Sequence, residues 1–196
     1  TSQVAKVGMT DGIRQVLQEE SDALRAYYEQ AGILIARPAG GTSCRLAISA
    51  KGGTNAENHN HNDVGSYAVA LGSETMVGDQ GGPNSYPGDY FNGDAPQKYK
   101  IKGSFGHPVP VVDGRTQSSG GKAKGVVLQK EFTNEKDVFS IDYTSAYSTP
   151  NLDKLIRTFV YDRQGKGNFT VGDEFTAKTP IRFETAITTR ADWKVL

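Results

Sequence analysis

The chain is poor in the residues that mark several classes of protein. Its only cysteine, Cys44, excludes an intramolecular disulfide. Lysine plus arginine (22) balance aspartate plus glutamate (22), so the chain as a whole has no basic field that would attract nucleic acid. No run approaches the ~18 consecutive apolar residues of a membrane helix. We therefore expect neither a nucleic-acid partner nor a membrane span, although a local basic patch is still compatible with this balance.

The first residues also lack two common signals. No apolar core typical of a secretory signal peptide follows Thr1, and the chain does not begin with methionine. We therefore expect a processed product or a segment of a longer protein. A single cysteine is compatible with both the cytoplasm and the bacterial periplasm, so it does not decide between the two.

Glycine, by contrast, is abundant, with 23 of 196 residues. Together with many Asn, Asp, Ser and Thr residues, it favours numerous turns over long helices. Helical spacing of apolar residues is present only at 10–31, where Gly32 is well placed to end a helix. The sequence therefore predicts a helical lead-in over residues 1–31.

From residue 33 onward the hydrophobic period changes to two, which is typical of strands. Ten short strands are predicted: 33–37, 44–49, 66–71, 74–79, 109–114, 125–132, 138–143, 154–162, 169–175 and 181–188. Strands do not alternate with helices, which argues against a parallel α/β sheet. The pattern predicts an all-β fold over residues 32–196, either an antiparallel sandwich or a barrel.

One long loop, residues 80–106, interrupts this pattern. Loops of this length in compact domains are usually functional or disordered, and the aromatic residues here argue against disorder. The tyrosines form either a packing lid or the lining of a cleft for an anionic sugar: Tyr86, Tyr90 and Tyr99. Further along, residues 116–125 are predicted to be a flexible surface hairpin.

The lysines of "KYKIK" have two interpretations of their own. Lys98, Lys100 and Lys102 share one face if this stretch is extended. They then either pair with the carboxylate or sulfate of a sugar, or keep an exposed edge soluble.

The densest chemistry in the chain is "AENHNHNDVGSY", residues 56–67. Two of the three histidines, His59 and His61, stand there two residues apart. In an extended segment, residues i and i+2 point the same way, so His59, His61 and Asp63 share a face if the stretch is strand-like. The simpler interpretation is a turn before a strand, since a lone His-x-His is a weak sign of a metal.

The third histidine strengthens the metal interpretation. His107 directly follows the long loop and returns to the other two histidines if that loop folds over the sheet. Asp79, at the end of "ETMVGD", is the best-placed carboxylate, and two histidines, one aspartate and a water suit zinc. Three other acids compete but are more typical of turns and helix caps: Asp63, Asp89 and Asp94.

Three segments, in this order, resemble the C-terminal half of the heparinase II/III-like polysaccharide lyases: "NHNHNDVGSY", "VGDQGG" and "YKIKGSFGHPVPVVDG". That family includes heparin and heparan sulfate lyases and some alginate lyases. The resemblance extends over residues 32–190 and implies an antiparallel β-sandwich. In the family an N-terminal (α/α) toroid precedes the sandwich, and the substrate cleft lies between them. The resemblance thus implies that this chain holds the sandwich without the toroid, with residues 1–31 as a linker.

The resemblance also implies roles for individual residues. His61, Asp79 and His107 would hold one structural zinc ion, and His59 would face the sugar as a catalytic residue. Tyr90 is the best match for a loop tyrosine that approaches the sugar, with Tyr86 and Tyr99 as alternatives. We further expect four residues to contact the anionic polysaccharide: Asn58, Lys98, Tyr99 and Lys100.

The activity implied by the resemblance is β-elimination beside a uronic acid, in the periplasm or outside the cell. The main tyrosine, and the asparagine and histidine that neutralise the uronate, come largely from the toroid in this family. We therefore expect the isolated chain to have little or no lyase activity. The alternatives are a non-catalytic carbohydrate-binding sandwich, a zinc-dependent hydrolase and a structural adhesion-type sandwich.

Overall fold

The computed structural model describes residues 23–79, 81–189 and 192. Within them the chain is built from strands joined by turns, and every strand pairing is antiparallel. In chain order the strands are Arg25–Tyr28 (β1), Ile33–Ala36 (β2), Leu46–Lys51 (β3), Thr54–Asn55 (β4), Tyr67–Leu71 (β5), Glu74–Val77 (β6), Pro110–Val112 (β7), Gly120–Lys124 (β8), Val126–Phe132 (β9), Lys136–Asp142 (β10), Leu152–Asp162 (β11), Asn168–Ala177 (β12) and Phe183–Thr185 (β13).

Two larger sheets form a sandwich. One has the order β1-β2-β3-β5-β6 and the other the order β12-β11-β10-β9, and β13-β7 and β4-β8 form two smaller pairs. The predicted all-β antiparallel sandwich is therefore confirmed. A closed barrel is the wrong alternative, because the described strands form separate sheets whose edges do not pair with one another.

The core lies between the two larger sheets because apolar residues alternate along their strands. In β10, Phe139 and Ile141 are fully buried, and they belong to the same buried cluster as Leu34 and Ile48 of the other sheet. Tyr67 of β5 also meets this core edge-on. Each fully buried side chain of this kind contributes about 1.5–3 kcal/mol to the free energy of unfolding.

The predicted helical lead-in is wrong for residues 25–28, which form β1. Tyr27 places its ring edge-on against Phe132 at 5.7 Å and Phe139 at 5.8 Å, so burial against the second sheet outweighs helical spacing. Gly32 does not end a helix but lies, with φ +61°, in the turn between β1 and β2. The rest of the predicted helix, up to residue 22, lies outside the described residues.

The glycine-rich stretch predicted as a flexible hairpin contains strand β8, which pairs with β4. Its composition hides this strand, because glycine and lysine have low strand propensity. The strand is stabilised instead by close contact between two backbone segments. Directly after β8, the Gly125 N–H donates to the Gly53 carbonyl at 2.9 Å. A Cβ at Gly125 would lie 3.1 Å from Gly52 Cα, so only glycine permits this approach without a shift.

The long loop contains short helices in place of the extended lysine stretch. Helix α1 is Ala95–Lys98, and 3-10 helices follow at Lys100–Lys102 and Ser104–Gly106. The condition under which the three lysines would share one face, an extended stretch, is therefore not met: Lys98 pairs with Asp89, Lys100 is exposed and Lys102 is buried. Another 3-10 helix, Thr144–Ala146, follows β10.

No helix in the described part of the chain has the length and apolar character needed to cross a membrane.

Candidate functional site

The histidine-rich segment is a series of turns between β4 and β5, held in place by side-chain amides. Val64 exchanges two hydrogen bonds with the buried side chain of Gln117: its N–H donates to Oε1 at 3.0 Å, and its carbonyl accepts from Nε2 at 2.7 Å. The Asn62 N–H donates to the Lys102 carbonyl at 2.8 Å, and its side-chain amide donates to the Gln117 carbonyl at 3.1 Å. These bonds replace the strand ladder that the segment lacks.

A buried arginine connects the histidine-rich segment to the segment that carries His107. Arg157 of β11 donates from Nη1 to the Gly65 carbonyl at 2.9 Å and to the Pro108 carbonyl at 2.7 Å. Its Nε and Nη2 pair with both carboxylate oxygens of Asp173, at 2.8 and 2.6 Å. Although burial opposes the charge, this carboxylate raises the pKa of Arg157. The segments that carry His61 and His107 are thus fixed to one guanidinium.

Three ligand-type side chains meet beside these segments. Nδ1 of His61 lies 3.0 Å from Nε2 of His107, and Oδ2 of Asp79 lies 3.8 Å from Nδ1 of each histidine. All three residues offer a ligand atom within 4.8 Å of the others. Ligands at ~2.0–2.1 Å from a tetrahedral zinc ion are about 3.3 Å apart, so this donor set fits zinc after small movements.

The electrostatics of the cluster also suit a metal. Burial, and then the neighbouring His107, lower the pKa of His61, which favours the neutral imidazole that a metal requires. His107 is buried and Asp79 is exposed. The cluster therefore has a buried inner side and an open outer side.

The two neighbouring histidines separate because the backbone turns between them. His59 has φ +58°, a left-handed conformation that is uncommon for residues other than glycine. Its exposed ring lies 4.4 Å from the ring of Phe91. The segment is not strand-like, so the condition under which His59, His61 and Asp63 would share a face is not met; Asp63 pairs instead with Lys51 Nζ at 2.5 Å.

His59 and His61 nevertheless border the same cavity, of about 480 Å³, which we call the tyrosine cleft. Its lining comes from the histidine-rich segment, from Asp79 and from the start of the long loop. The lining residues are His59, His61, Asp79, Gly81, Gly82, Tyr86, Tyr90 and Phe91.

Tyr90, the predicted catalytic tyrosine, belongs to this lining. Its side chain is 2% exposed, and its buried hydroxyl has no hydrogen-bond partner among the described residues. Burial, and then nearby Tyr86 and Asp79, raise the pKa of Tyr90. The exposed ring of Tyr86 lies 4.9 Å from that of Tyr90, so of the two alternatives to Tyr90 only Tyr86 is among the residues that line the cleft.

Three other predicted substrate contacts lie elsewhere. Lys98 and Tyr99 both donate to the carboxylate of Asp89 and thereby lower its pKa. The Lys100 ammonium lies 6.0 Å from the ring of Phe105. None of these three is among the described residues that line the tyrosine cleft or the cavity beside it.

That second cavity, of about 330 Å³, contains the predicted contact Asn58, and we call it the asparagine pocket. It adjoins the cleft, since His59 and Phe91 line both. Its lining residues are Asn55, Ala56, Glu57, Asn58, His59, Asn60, Asn62, Phe91, Asn92, Gly93, Pro96, Lys102, Ser119 and Gly120.

Sequence reasoning missed several residues of this region. Phe91 stood among the loop aromatics, but its partner His59 could not be assigned without the fold. Gln117 and Arg157 carry no motif, because their function depends on carbonyls far away in the sequence. Lys102 is buried although lysine is almost never fully buried, so no sequence signal marks it.

The sequence matches no protein-family model and no curated protein. Solved structures do resemble the chain. They include the heparan sulfate lyase HepC from Pedobacter heparinus (TM-score 0.60) and a mutant of it (TM-score 0.61), each with 19% identity. Each comparison covers 81% of this chain and 23% of the lyase chain, so the chain spans under a quarter of the length of these relatives. The likeness shows that this chain shares the fold of the matched part of that lyase.

Proposed function

We propose that this chain is the β-sandwich domain of a polysaccharide lyase that cleaves uronic-acid-containing polysaccharides by β-elimination. The tyrosine cleft carries the proposal, because His59 and Tyr90 line it together with His61 and Asp79. His107 joins those two residues from behind the cleft as the third member of the ligand cluster. The fold shared with a heparan sulfate lyase supports the same class of reaction. Heparin, heparan sulfate and alginate are the candidate substrates.

The reaction makes defined demands on the cleft. A base removes the proton on C5 of the uronate, and the bond from C4 to the leaving oxygen breaks, which leaves a C4–C5 double bond. The C5 proton is weakly acidic because it lies beside a carboxylate, so a group that neutralises this carboxylate stabilises the developing charge. The exposed imidazole of His59 is suited either to neutralise the carboxylate or to accept the proton.

Tyr90 is suited to donate a proton, whereas His59 is suited to accept one. A tyrosine with an ordinary pKa of ~10 keeps its proton at neutral pH, and burial raises the pKa of Tyr90 further. Its hydroxyl has no internal partner in the described structure and is therefore free to donate. We assign Tyr90 the donation of a proton to the leaving oxygen.

The metal has a structural function in this proposal. His61, Asp79 and His107 would hold one zinc ion, which would cross-link the histidine-rich segment to both ends of the long loop. The protein's own groups, His59 and Tyr90, carry the proton transfers.

The remaining part of the site comes from a second domain. We propose that an (α/α) toroid packs over the tyrosine cleft and supplies the further groups that neutralise the uronate. The chain's coverage of only 23% of the HepC chain supports this arrangement. Because the substrates are extracellular polymers, we propose that the enzyme acts in the periplasm or outside the cell.

The test follows the absorbance of the unsaturated product on heparan sulfate, heparin and alginate. The 196-residue chain alone is expected to give no product, and a longer polypeptide that includes the toroid is expected to turn over one of the three. His59→Ala in that polypeptide should abolish turnover, whereas Lys166→Ala, in an exposed turn, should leave it unchanged. Full turnover with His59→Ala contradicts the assigned role.

A non-catalytic carbohydrate-binding sandwich is the second candidate, and the polar asparagine pocket favours it. In that case polysaccharide binding persists in His59→Ala and no product forms with any longer polypeptide. A zinc-dependent hydrolase instead predicts that a chelator stops turnover while the fold survives. In the lyase, loss of zinc loosens the structure first.

A further inference from the structure

The asparagine pocket and the tyrosine cleft share one wall. His59 and Phe91 line both cavities, and their rings lie 4.4 Å apart. The asparagine pocket is therefore next to any sugar bound beside His59 in the cleft, and it is the candidate place for the neighbouring sugar of a polysaccharide.

One buried cation lines that pocket. Lys102 is 2% exposed, and its ammonium donates to the Tyr90 carbonyl at 2.7 Å. It also lies 4.7 Å from the centroid of the Tyr90 ring and 5.3 Å from that of Phe91. Among the described residues, no carboxylate lies within 4.0 Å of this ammonium. Burial lowers the pKa of Lys102, because a buried charge without a counter-charge is unfavourable.

The other lining groups complete a polar site for a sugar. Oδ1 of Asn60 is buried and has no hydrogen-bond partner among the described residues, so this acceptor is unused within the described structure. Asn58 and Asn92 are exposed amides at the rim. The one carboxylate in the lining, Glu57, is exposed and accepts a hydrogen bond from Thr54 at 3.1 Å.

We propose that the asparagine pocket is a subsite for an acidic sugar, in which the charge of Lys102 binds a carboxylate or a sulfate group. The ligand is the sugar next to the one cleaved, and in this respect the inference rests on the proposed function. The binding itself requires neither turnover nor zinc. An anionic guest supplies the counter-charge that Lys102 lacks.

The test measures binding of small probes to the whole 196-residue chain by NMR titration. The probes are sodium glucuronate, glucose 6-sulfate and, as the neutral control, glucose. Lys102→Met removes the charge and keeps the apolar stem, whereas Lys166→Met removes an exposed lysine outside the pocket. Loss of one charge-assisted contact should weaken binding of an acidic probe at least ~10-fold. Binding of glucose should not change.

A second variant, Asn60→Asp, is needed because Lys102→Met could lose binding simply by failing to fold. Asn60→Asp leaves Lys102 and its bond to Tyr90 in place, but adds a negative charge to the pocket. It should also weaken the acidic probes and spare glucose. Preference of the wild type for glucuronate or for glucose 6-sulfate identifies the acidic group, and either preference supports the subsite. Equal binding of acidic probes by the wild type and by both variants overturns it.

Failure of this inference is distinguishable from failure of the proposed function. If a longer polypeptide turns over polysaccharide and Lys102→Met leaves its KM unchanged, the subsite is overturned and the lyase stands. If Lys102→Met and Asn60→Asp abolish glucuronate binding but no polypeptide yields unsaturated product, the subsite stands and the lyase is overturned.

Discussion

The two larger sheets and the segments that carry the site are stabilised by different interactions. In the sheets, backbone ladders and alternating apolar residues such as Phe139 and Ile141 hold the strands together. In the site, the backbone between β4 and β5 and in the long loop is mostly irregular. There, buried polar side chains form hydrogen bonds with the backbone N–H and carbonyl groups that are not paired in a strand ladder. The comparison shows that the site's geometry depends on a few polar residues, whereas the fold depends on many apolar ones.

The largest expected effect comes from removing the guanidinium that serves both regions. Arg157→Met leaves Asp173 without its cationic partner, with only the Tyr143 hydroxyl among the described residues still donating to it. It also frees the Gly65 and Pro108 carbonyls. Breaking a buried ion pair from one side typically lowers the free energy of unfolding by about 3–5 kcal/mol. Urea denaturation measures this change, with the exposed Arg182→Met as the control. Equal losses in the two variants would show that Arg157 does not connect the regions.

Zinc should stabilise the chain next most strongly. At a free zinc concentration of ~100 times the dissociation constant, one site adds about 2.7 kcal/mol and raises Tm by several degrees. His107→Ala removes a buried ligand and should abolish this increase. Differential scanning calorimetry with and without zinc checks the prediction. An equal rise in Tm for both proteins would place the ion elsewhere.

Replacing the buried amide of Gln117 should have a somewhat smaller effect. Gln117→Leu leaves the N–H and the carbonyl of Val64 without partners, and an unsatisfied buried group costs about 1–3 kcal/mol. The variant should therefore lose about 2 kcal/mol and bind zinc more weakly, because His61 lies three residues before Val64. Gln129→Leu on the exposed strand β9 is the matched control. If Gln117→Leu binds zinc as tightly as the wild type, the Gln117 amide does not position the zinc ligands.

The smallest effect on stability is expected at His59, where the effect on turnover is expected to be complete. Glycine adopts φ +58° without strain, whereas a residue with a Cβ pays ~1–2 kcal/mol there. His59→Gly should thus unfold at higher urea concentration than His59→Ala by an amount equivalent to about 1 kcal/mol. Both variants should be inactive in the toroid-containing polypeptide. Equal stability would indicate that the backbone relaxes once the stacking on Phe91 is lost.

Sequence reasoning succeeded where local pattern and burial agree. The strands of the core were predicted because each alternates apolar and polar residues, as β10 does around Phe139. Strand β1 was missed because Tyr27 and Tyr28 also fit helical spacing, and its pairing with β2 is a tertiary contact. Strand β8 was missed because glycine-rich composition suggests flexibility, and the close backbone approach at Gly125, directly after the strand, depends on the fold.

In the candidate site, too, some residues could be selected from the sequence and others could not. His61 and His107 were selected because the chain has only three histidines, and Asp79 because it ends a predicted strand; the structure brings the three together. Their identity as zinc ligands stays a prediction. The burial of Lys102 and the bonds of Arg157 were not predictable, because both depend on segments far apart in sequence. Residue type points to chemistry, but the supporting contacts are set by the fold.

Asp79 and His107 stand at the two ends of the long loop, and this has a consequence for how such proteins diverge. A contact or a bridging ion that joins Asp79 to His107 therefore holds the two ends of the loop together. The entropy of closing a flexible loop grows only with the logarithm of its length, so that doubling the loop costs only about 0.6 kcal/mol. Insertions between the two ends therefore change Tyr86, Tyr90 and their neighbours at little thermodynamic penalty. The lining of the tyrosine cleft is therefore free to vary while the two ends of the loop stay fixed.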